Sequence, residues 1–341
     1  MKKFIFVTGG SGFIGSALVR DLLENTDLHV VNIDNLSYAG DESRMIDYST
    51  HNRYHFHHLD INNAESIQQL FHQYRPQAMY HLAAESHVDR SISNPQAFIE
   101  SNILGTFQLL ESVRSYLNTY PEEEKKFRFL HISTDEVYGH LGDTGFFTEQ
   151  TPYMPSSPYS ASKAASDHLV RAWCRTYQLP LLITNCSNNY GPWQFPEKLI
   201  PVVIQKALHN EDIPIYGEGL NTRDWLYVDD HVSALQCVLN TGKIGETYLI
   251  GGHSEKTNIK LAETICDILD QTKPKDQGYY RDQIRFVKDR PGHDFRYAID
   301  PTKIENELGW KPKETFESGI QKVVHWYLDH QEWTQDMLKK I

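Results

Sequence analysis

An α/β fold built on a doubly wound parallel sheet, with a smaller C-terminal α/β region for substrate binding, is what this sequence predicts. Two observations carry the expectation. Short apolar runs alternate with amphipathic segments through the first half of the chain. A glycine-rich run, Thr8-Gly-Gly-Ser-Gly-Phe-Ile-Gly15, follows the first apolar run and opens the first amphipathic one. Such a run lets the backbone turn tightly from strand to helix and come close to a bound pyrophosphate.

The elements follow in order. Residues 3–8 read as a strand, and Phe13–Asn25 as a helix with Ile14, Leu18 and Leu22 on one stripe. Residues 28–34 and 54–61 read as strands, followed by a helix over Ala64–Tyr74. A strand over 78–84 precedes a long helix over 95–120. Residues 127–134 read as a buried strand, then a loop, a helix opening near Tyr159, and a strand over 179–187. After Ser187 the alternation breaks. Residues 188–196 read as a loop with two prolines. Short strands at Ile213–Tyr216, 225–228, Thr247–Ile250 and Ile284–Val287 then mix with helices at 198–209, 261–269 and Phe316–Asp329. The expected division is a dinucleotide-binding domain over 1–187 and a substrate-binding region mainly over 188–341, with chain crossings back to the first.

Length and composition bound the function. A chain of 341 residues, 40% hydrophobic, can build a large core over about two domains. The net charge of −12 argues against sequence-independent nucleic-acid binding, and weakly against an anionic membrane surface. No run approaches the roughly 18 apolar residues of a membrane span, and the N-terminal apolar run reads as a strand, not a signal peptide. Cys174, Cys186, Cys237 and Cys266 form no C-x-x-C pair, which fits reduced thiols in a cytoplasmic protein. His51, His55, His57 and His58 crowd one region without ligand spacing, so no metal site is expected there.

The glycine run fits G-x-G-x-x-G at Gly10, Gly12 and Gly15, and equally G-x-x-G-x-x-G at Gly9, Gly12 and Gly15. Both registers suit a dinucleotide in a Rossmann fold. Asp34 ends the second predicted strand, where an acid accepts both adenine-ribose hydroxyls and repels a 2′-phosphate, favouring NAD over NADP. Asp60 and Ile61 end the third strand, beside the expected adenine. Leu82, Ala83 and Ala84 end the fourth, where small side chains admit the cofactor backbone.

Two further motifs carry chemistry. Tyr159 and Lys163 stand at i and i+4, on one face of a helix. A free phenol has a pKa of about 10, and bringing it to about 7 takes roughly 4 kcal/mol of phenolate stabilisation. A lysine one turn away can supply part of this, and Lys163 also suits the nicotinamide ribose hydroxyls. Thr134 suits a hydrogen bond to the sugar hydroxyl that Tyr159 deprotonates. Asp135 and Glu136, next to it, offer paired carboxylates for acid–base work. They also suit a helix N-terminus, where acids are favoured.

The glycine run, Asp34, Thr134 and the Tyr159/Lys163 pair resemble the extended short-chain dehydrogenase/reductase family. Longer runs narrow this. His81-Leu-Ala-Ala-Glu-Ser-His-Val-Asp-Arg90, Ser133-Thr-Asp-Glu-Val-Tyr-Gly139, Asn185-Cys-Ser-Asn-Asn-Tyr-Gly-Pro192, Phe195-Pro-Glu-Lys-Leu-Ile-Pro201 and Asp289-Arg-Pro-Gly-His-Asp294 resemble the dTDP-glucose 4,6-dehydratases over nearly the whole chain.

That resemblance implies a three-step reaction on dTDP-glucose with NAD. Tyr159 takes the O4 proton as C4 gives up hydride, Glu136 removes the C5 proton, and Asp135 protonates the departing C6 hydroxyl. The hydride then returns to C6. The product is dTDP-4-keto-6-deoxyglucose, a precursor of rhamnose and other deoxysugars.

By the same resemblance, Phe13, Ile14, Asn35, Leu36, Ser37, Ser101 and Asn189 join the cofactor site. Ser86 contacts both cofactor and sugar. Asn188, Arg223 and Asn258 hold the phosphates. Lys198, Leu199, Pro214, Ile215 and Tyr216 surround the nucleotide, with Asp289, Arg290, Pro291, Gly292 and His293 in a loop beside it. A homodimer through the helices near 95–120 and 159–177 is also implied. The nearest rivals are a UDP-sugar 4-epimerase, which needs no acid and base at C5 and C6, a UDP-glucuronate decarboxylase, another nucleotide-sugar 4,6-dehydratase, and a nonenzymatic NAD-binding scaffold.

Overall fold

The computed structural model describes residues 2–289 and 293–340. Six strands succeed one another through the first half: β1 (Phe4–Thr8), β2 (His29–Asp34), β3 (Tyr54–His58), β4 (Ala78–His81), β5 (Arg128–Thr134) and β6 (Leu181–Cys186). The second half adds β7 (Asn188–Tyr190), β8 (Ile213–Tyr216), β9 (Thr222–Tyr227), β10 (Thr247–Ile250), β11 (Glu255–Thr257) and β12 (Ile284–Val287). Seven of these form one sheet in the order β10-β6-β5-β4-β1-β2-β3, with every neighbouring pair parallel. The strand order reverses beside β1, so the glycine run after β1 sits at the switch point where such sheets bind ligands.

Alternation along each strand builds a core on each face of the sheet. Ile5 and Val7 pack with Leu18, Leu22, Val232, Leu235 and Val238 of the helices Phe13–Asn25 and Val228–Thr241. Phe6 points the other way, into a core with Phe71, Leu109, Val113 and Phe129. The second region has its own core, where the helices Leu199–Leu208, Asn258–Thr272 and Phe316–Asp329 meet around Ile204, Leu261, Ile265 and Val324. It flanks a three-stranded sheet β11-β9-β7 and the parallel pair β12-β8. The chain returns to the first region through the helix Val228–Thr241 and through β10, which pairs with β6.

Several elements differ from expectation. The strands expected over 54–61 and 78–84 stop at His58 and His81. Their last register pairs are Asp34↔His58 and Thr8↔His81, and beyond them the backbone lines a cleft. The helix expected over 95–120 is interrupted. Pro95–Phe98 and Thr106–Thr119 are α-helical, but Ile99–Gly105 is π-helical. The cause is visible at Asn102, whose buried amide accepts from Glu85 N (2.9 Å) and donates to Glu85 O (3.0 Å) and Ser162 Oγ (2.8 Å). Such π segments recur at functional sites. The strand expected at 225–228 is β9, and Val228 already begins a helix. The loop over 188–196 contains β7, and β11 and the helices Thr302–Leu308 and Gln331–Leu338 were too short to read from periodicity. The histidines on β3 form no metal cluster among the described residues. His55 instead stacks on His29, with Nε2 and Nδ1 3.2 Å apart.

The helix Pro158–Tyr177 carries Tyr159 and Lys163, and its start is fixed locally. Ser157 is the N-cap: its Oγ accepts from Ser160 N (3.1 Å), while Ser160 Oγ accepts from Ser157 N (3.0 Å). Pro158 occupies the first turn, where its missing N–H costs nothing. Ser157→Ala should lower the unfolding free energy by about 1 kcal/mol in urea titration, and Ser157→Thr should recover most of the loss.

Candidate active site

The carboxyl ends of β1, β2, β4 and β5 and the loops after β6 and β7 enclose one cleft of about 470 Å³. Gly9, Gly12, Phe13, Ile14 and Gly15 form one wall. The structure separates the two glycine registers. A Cβ on Gly9 would lie 2.6 Å from Ala83 N, and its φ is +72°; one on Gly15 would lie 2.0 Å from Gly9 O. Gly10 does not line the cleft, and its missing Cβ makes room for Asn32 Oδ1. The spacing that faces a ligand is therefore Gly9, Gly12 and Gly15. Gly12 is the N-cap of Phe13–Asn25, with no side chain capping the helix and no acid in its first turn. The free amides and the helix dipole then suit a pyrophosphate.

Asp34 sits at the end of β2, almost buried, with Oδ2 accepting from Ser11 N (2.9 Å) and Oδ1 from Leu36 N (2.8 Å). Burial nevertheless raises its pKa, against the pull of these two amides. Each oxygen keeps a lone pair for a ribose hydroxyl. Asn35, Ser37, Asp60, Ile61, Leu82, Ala83, Ala84, Ser86, Ser101 and Asn189 also line the cleft, whereas Leu36 does not: it contributes its backbone amide, at φ +51°. The predicted cofactor residues thus surround one groove whose chemistry fits an NAD.

Both reactive motifs open into the same cleft, lined in part by Thr134, Asp135, Glu136, Tyr159 and Lys163. Asp135-Glu136-Val-Tyr138 is one turn of 3-10 helix at the end of β5, capped by Thr134 Oγ1, which accepts from Glu136 N (3.3 Å). Asp135 is buried, with Oδ2 lacking a hydrogen-bond partner among the described residues. Its pKa is raised well above the usual carboxylate range, first by burial, then by the Glu136 and Asp224 carboxylates, against the Arg223 guanidinium and the Thr134 hydroxyl. A neutral carboxylic acid beside Glu136 is the consequence.

Tyr159 and Lys163 depart from expectation in one respect. Lys163 Nζ donates to Ile132 O (2.8 Å) at the end of β5. The largest influences on the phenol are burial and the Glu136 carboxylate, both raising its pKa, with Thr134 opposing. The partial help expected from Lys163, with the nicotinamide ring supplying more, therefore has to work against burial and the Glu136 carboxylate. Burial also brings Lys163 down to about 8, opposed by Asp167.

The expected substrate residues divide. Ser86, Asn188 and Lys198 line the cleft, and Asn188 Oδ1 is buried with no hydrogen-bond partner among the described residues. Leu199, Pro214, Ile215, Tyr216, Arg223, Asn258, Asp289 and His293 do not line it. The Ile215 side chain packs in the second core. Arg223 is buried instead against the ring of Tyr297 at 4.2 Å, donating to Asp294 O (2.9 Å), and acts electrostatically on Asp135. Tyr216 is exposed beside His293, whose Nδ1 lies 2.7 Å from Asp289 Oδ1. Arg290, Pro291 and Gly292 lie outside the described residues.

Other wall residues escaped the sequence reading. Tyr38 donates to Glu197 Oε1 (2.9 Å) across the cleft mouth, and Arg44 is buried beneath it, donating to Ser11 O (3.0 Å) and Ala39 O (2.8 Å). The Phe195–Pro201 run that carried the resemblance was the available signal for Glu197. Tyr38 had none.

The chain resembles known proteins over nearly its whole length. A family model described as GDP-mannose 4,6 dehydratase matches residues 6–323. The dTDP-glucose 4,6-dehydratase of Shigella flexneri is 59% identical, over 98% of this chain and 95% of its own. The crystal structure of the Bacillus anthracis dTDP-glucose 4,6-dehydratase in complex with NAD superposes with TM-score 0.87 at 43% identity, covering 98% of this chain and 99% of that one. A Streptomyces venezuelae dTDP-glucose 4,6-dehydratase with NAD and dTDP bound gives TM-score 0.90 at 41% identity, with the same coverage.

The raised pKa of Asp135 has a measurable consequence for stability. In the unfolded chain its carboxyl ionises near pH 4, whereas the folded chain keeps the proton. Folding then takes up a proton above that pH, and stability drains as pH rises toward the folded-state value. Asp135→Asn removes this penalty. Urea titrations at several pH values should show the variant gaining on the wild type by up to about 1.4 kcal/mol per pH unit above pH 4. A wild type that gains on the variant instead would mean that Asp135 is ionised in the folded protein.

Proposed function

This chain belongs to the dTDP-glucose 4,6-dehydratases, within the family described as GDP-mannose 4,6 dehydratase, and we infer that it converts dTDP-glucose to dTDP-4-keto-6-deoxyglucose and water. It is an NAD-dependent hydro-lyase. The observation that carries the assignment of residues is the buried Asp135, its pKa raised, beside Glu136 in the same cleft as Tyr159. An epimerase has no use for that pair.

NAD, when bound, accepts hydride from C4 and later returns it to C6. Tyr159 receives the O4 proton, with Thr134 placed to hold the same hydroxyl. Because burial and the Glu136 carboxylate oppose ionisation of Tyr159, Lys163 and the positive charge of the oxidised cofactor would together favour the phenolate. Lys163, reaching from its helix to Ile132 O of β5, orients the nicotinamide ribose. Once C4 is a ketone, the C5 hydrogen is acidic, and Glu136 removes it. Asp135 already carries the proton that the leaving C6 hydroxyl needs. It can deliver that proton without first acquiring one from solvent, which a buried position makes slow. Glu136 then returns a proton to C5 as hydride reaches C6.

For the nucleotide, Asn188 and Lys198 are placed to meet the diphosphate inside the cleft. Tyr216, Asp289 and His293, at the edge of the β8–β12 pair, are placed to meet the thymidine further out. Residues 1–187 supply most of the cofactor side and residues 188–341 most of the nucleotide side, with the helix Val228–Thr241 and β10 crossing back. A homodimer through the helices near 95–120 and 159–177 fits the exposure of Ile99 (46%), Leu104 (48%) and Tyr177 (43%) there. A cytoplasmic site of action fits four cysteines that form no disulfide, and no described helix is long and apolar enough to cross a membrane.

Purified protein incubated with dTDP-glucose should form the 4-keto-6-deoxy product, read from its chromophore in alkali. Galactose instead would favour an epimerase, and no turnover of any sugar nucleotide would sink the enzyme reading. Asp135→Asn should slow water loss roughly 10²–10⁴-fold while C4 oxidation, followed by the absorbance of reduced cofactor, continues. Equal loss of both steps would contradict the role given to Asp135.

A further inference from the structure

The glycine run that walls the cofactor groove is held at Ser11 from two directions. Ser11 N donates to Asp34 Oδ2 (2.9 Å). Ser11 O accepts from Asp41 N (3.0 Å) and from Arg44 Nη1 (3.0 Å). Arg44 lies on the 3-10 segment Glu42–Tyr48, beyond the loop that follows β2. Its Nη1 also donates to Ala39 O (2.8 Å), and its Nε to Trp193 O (3.1 Å). Ser11, Ala39 and Trp193 belong to three loops far apart in sequence. Each is followed by a residue that lines the groove: Gly12, Gly40 and Gln194. Arg44 is 2% exposed, and burial brings its pKa down to about 10, so it remains a cation at neutral pH. Three carbonyls in fixed directions call for a planar fork of donors, which only arginine offers.

Arg44 also meets the C-terminal helix Gln331–Leu338. Its guanidinium sits over the Trp333 ring at 5.4 Å, and Trp333 Nε1 donates to Ser43 Oγ (3.0 Å). Lys340, just past the helix, pairs with Asp41. Trp193 is gripped from the same side. Its ring packs on Trp326 (4.9 Å between centroids) and on Trp333 (5.1 Å), and Trp326 stacks on His330 at 4.2 Å. The Trp193 backbone has φ +68°, a left-handed conformation that a bulky residue keeps only when its surroundings impose it. One residue on, Gln194 O accepts from Tyr327 Oη (2.5 Å), and Gln194 Nε2 donates to Asn189 O (2.9 Å) on the groove wall. Trp326, Tyr327, Trp333 and Lys340 do not themselves line the groove.

We propose that Arg44 is a positioning residue for the cofactor, and that the helix Gln331–Leu338 is the latch that holds it in place. Docked, Trp333 and Lys340 fix the guanidinium and the 3-10 segment. The guanidinium in turn fixes Ser11 O, so the glycine run keeps the shape a pyrophosphate needs. The same fork holds the loops at Ala39 and Trp193 against the groove. Linkage then works in both directions: an NAD bound in the groove strengthens the docking of a helix that does not line it. The proposal rests on the groove being the NAD site, and not on the identity of the sugar or on the roles given to the catalytic residues.

Amide hydrogen exchange of the full-length wild type, free of NAD and saturated with it, reads the coupling without any substitution. Residues 331–338 should exchange at least about fivefold more slowly with NAD bound, alongside residues 36–48. Slowing at 36–48 with 331–338 unchanged would overturn the latch. Calorimetry of two variants separates positioning from general damage. Trp333→Leu should raise the Kd for NAD at least about fivefold, while the Kd for dTDP at saturating NAD stays within about twofold of the wild type. Equal loss of both ligands would contradict the proposal. Arg44→Lys keeps the charge and loses the fork, so it should weaken NAD at least as much as Trp333→Leu. Wild-type affinity in Arg44→Lys would contradict the role given to the guanidinium. If either variant fails to fold, the wild-type exchange measurement decides. A wild type that binds no NAD would overturn the cofactor reading and this proposal with it, whereas NAD binding without coupling overturns the latch alone.

Discussion

The structure turns on one buried carboxyl. Asp135 lies at the end of β5, shut away from water, with the Glu136 and Asp224 carboxylates near it and a single guanidinium, Arg223, opposing them. Three acids in so small a space cannot all ionise. The most buried of them, Asp135, has its pKa raised well above the usual carboxylate range. Asp224, largely buried too, accepts from the amides of Gly252 (2.8 Å) and Ser254 (2.6 Å), and Arg223 is tied to backbone carbonyls by its own donors. The second region of the chain thus sets the protonation of a residue belonging to the first.

The remaining chemistry is arranged around the same strand. β5 ends in Thr134 and Asp135, offers Ile132 O to Lys163, and places His131 beside Asp167. The helix Pro158–Tyr177 therefore contacts β5 through its reactive face and not only through apolar packing. On the opposite side, the π segment Ile99–Gly105 lets Asn102 reach both Glu85 and Ser162, joining the loop after β4 to the same helix. The cofactor groove and the acid–base pair are held at strand ends and the phenol on a helix packed against them, all on regular elements. The Tyr38–Glu197 contact across the mouth joins loops and is the more easily opened part.

How much of this the sequence disclosed depends on contact range. The glycine run, Asp34 and the Tyr159/Lys163 pair are local patterns with a local physical meaning, and periodicity placed them on the right elements. The choice between Gly9 and Gly10 was not legible, because it depends on how closely Ala83 and Asn32 approach. Asp224 and the Tyr38–Glu197 contact are long-range, and no spacing rule connects Tyr38 with a partner 159 residues away. The π segment was hidden because its composition is that of an ordinary helix; the buried amide of Asn102 decides it. Lys163 was identified, but its orientation was not. Its ammonium answers to Ile132 O, which only the packed structure brings near.

Whether Asp135 holds its proton at working pH is the question on which the rest depends. Difference infrared spectroscopy of the NAD-bound protein at neutral pH, wild type minus Asp135→Asn, isolates that one carboxyl. A protonated C=O stretch that persists at neutral pH and disappears only at alkaline pH is the predicted result. A carboxylate band at neutral pH, with no protonated band to lose, would contradict the account.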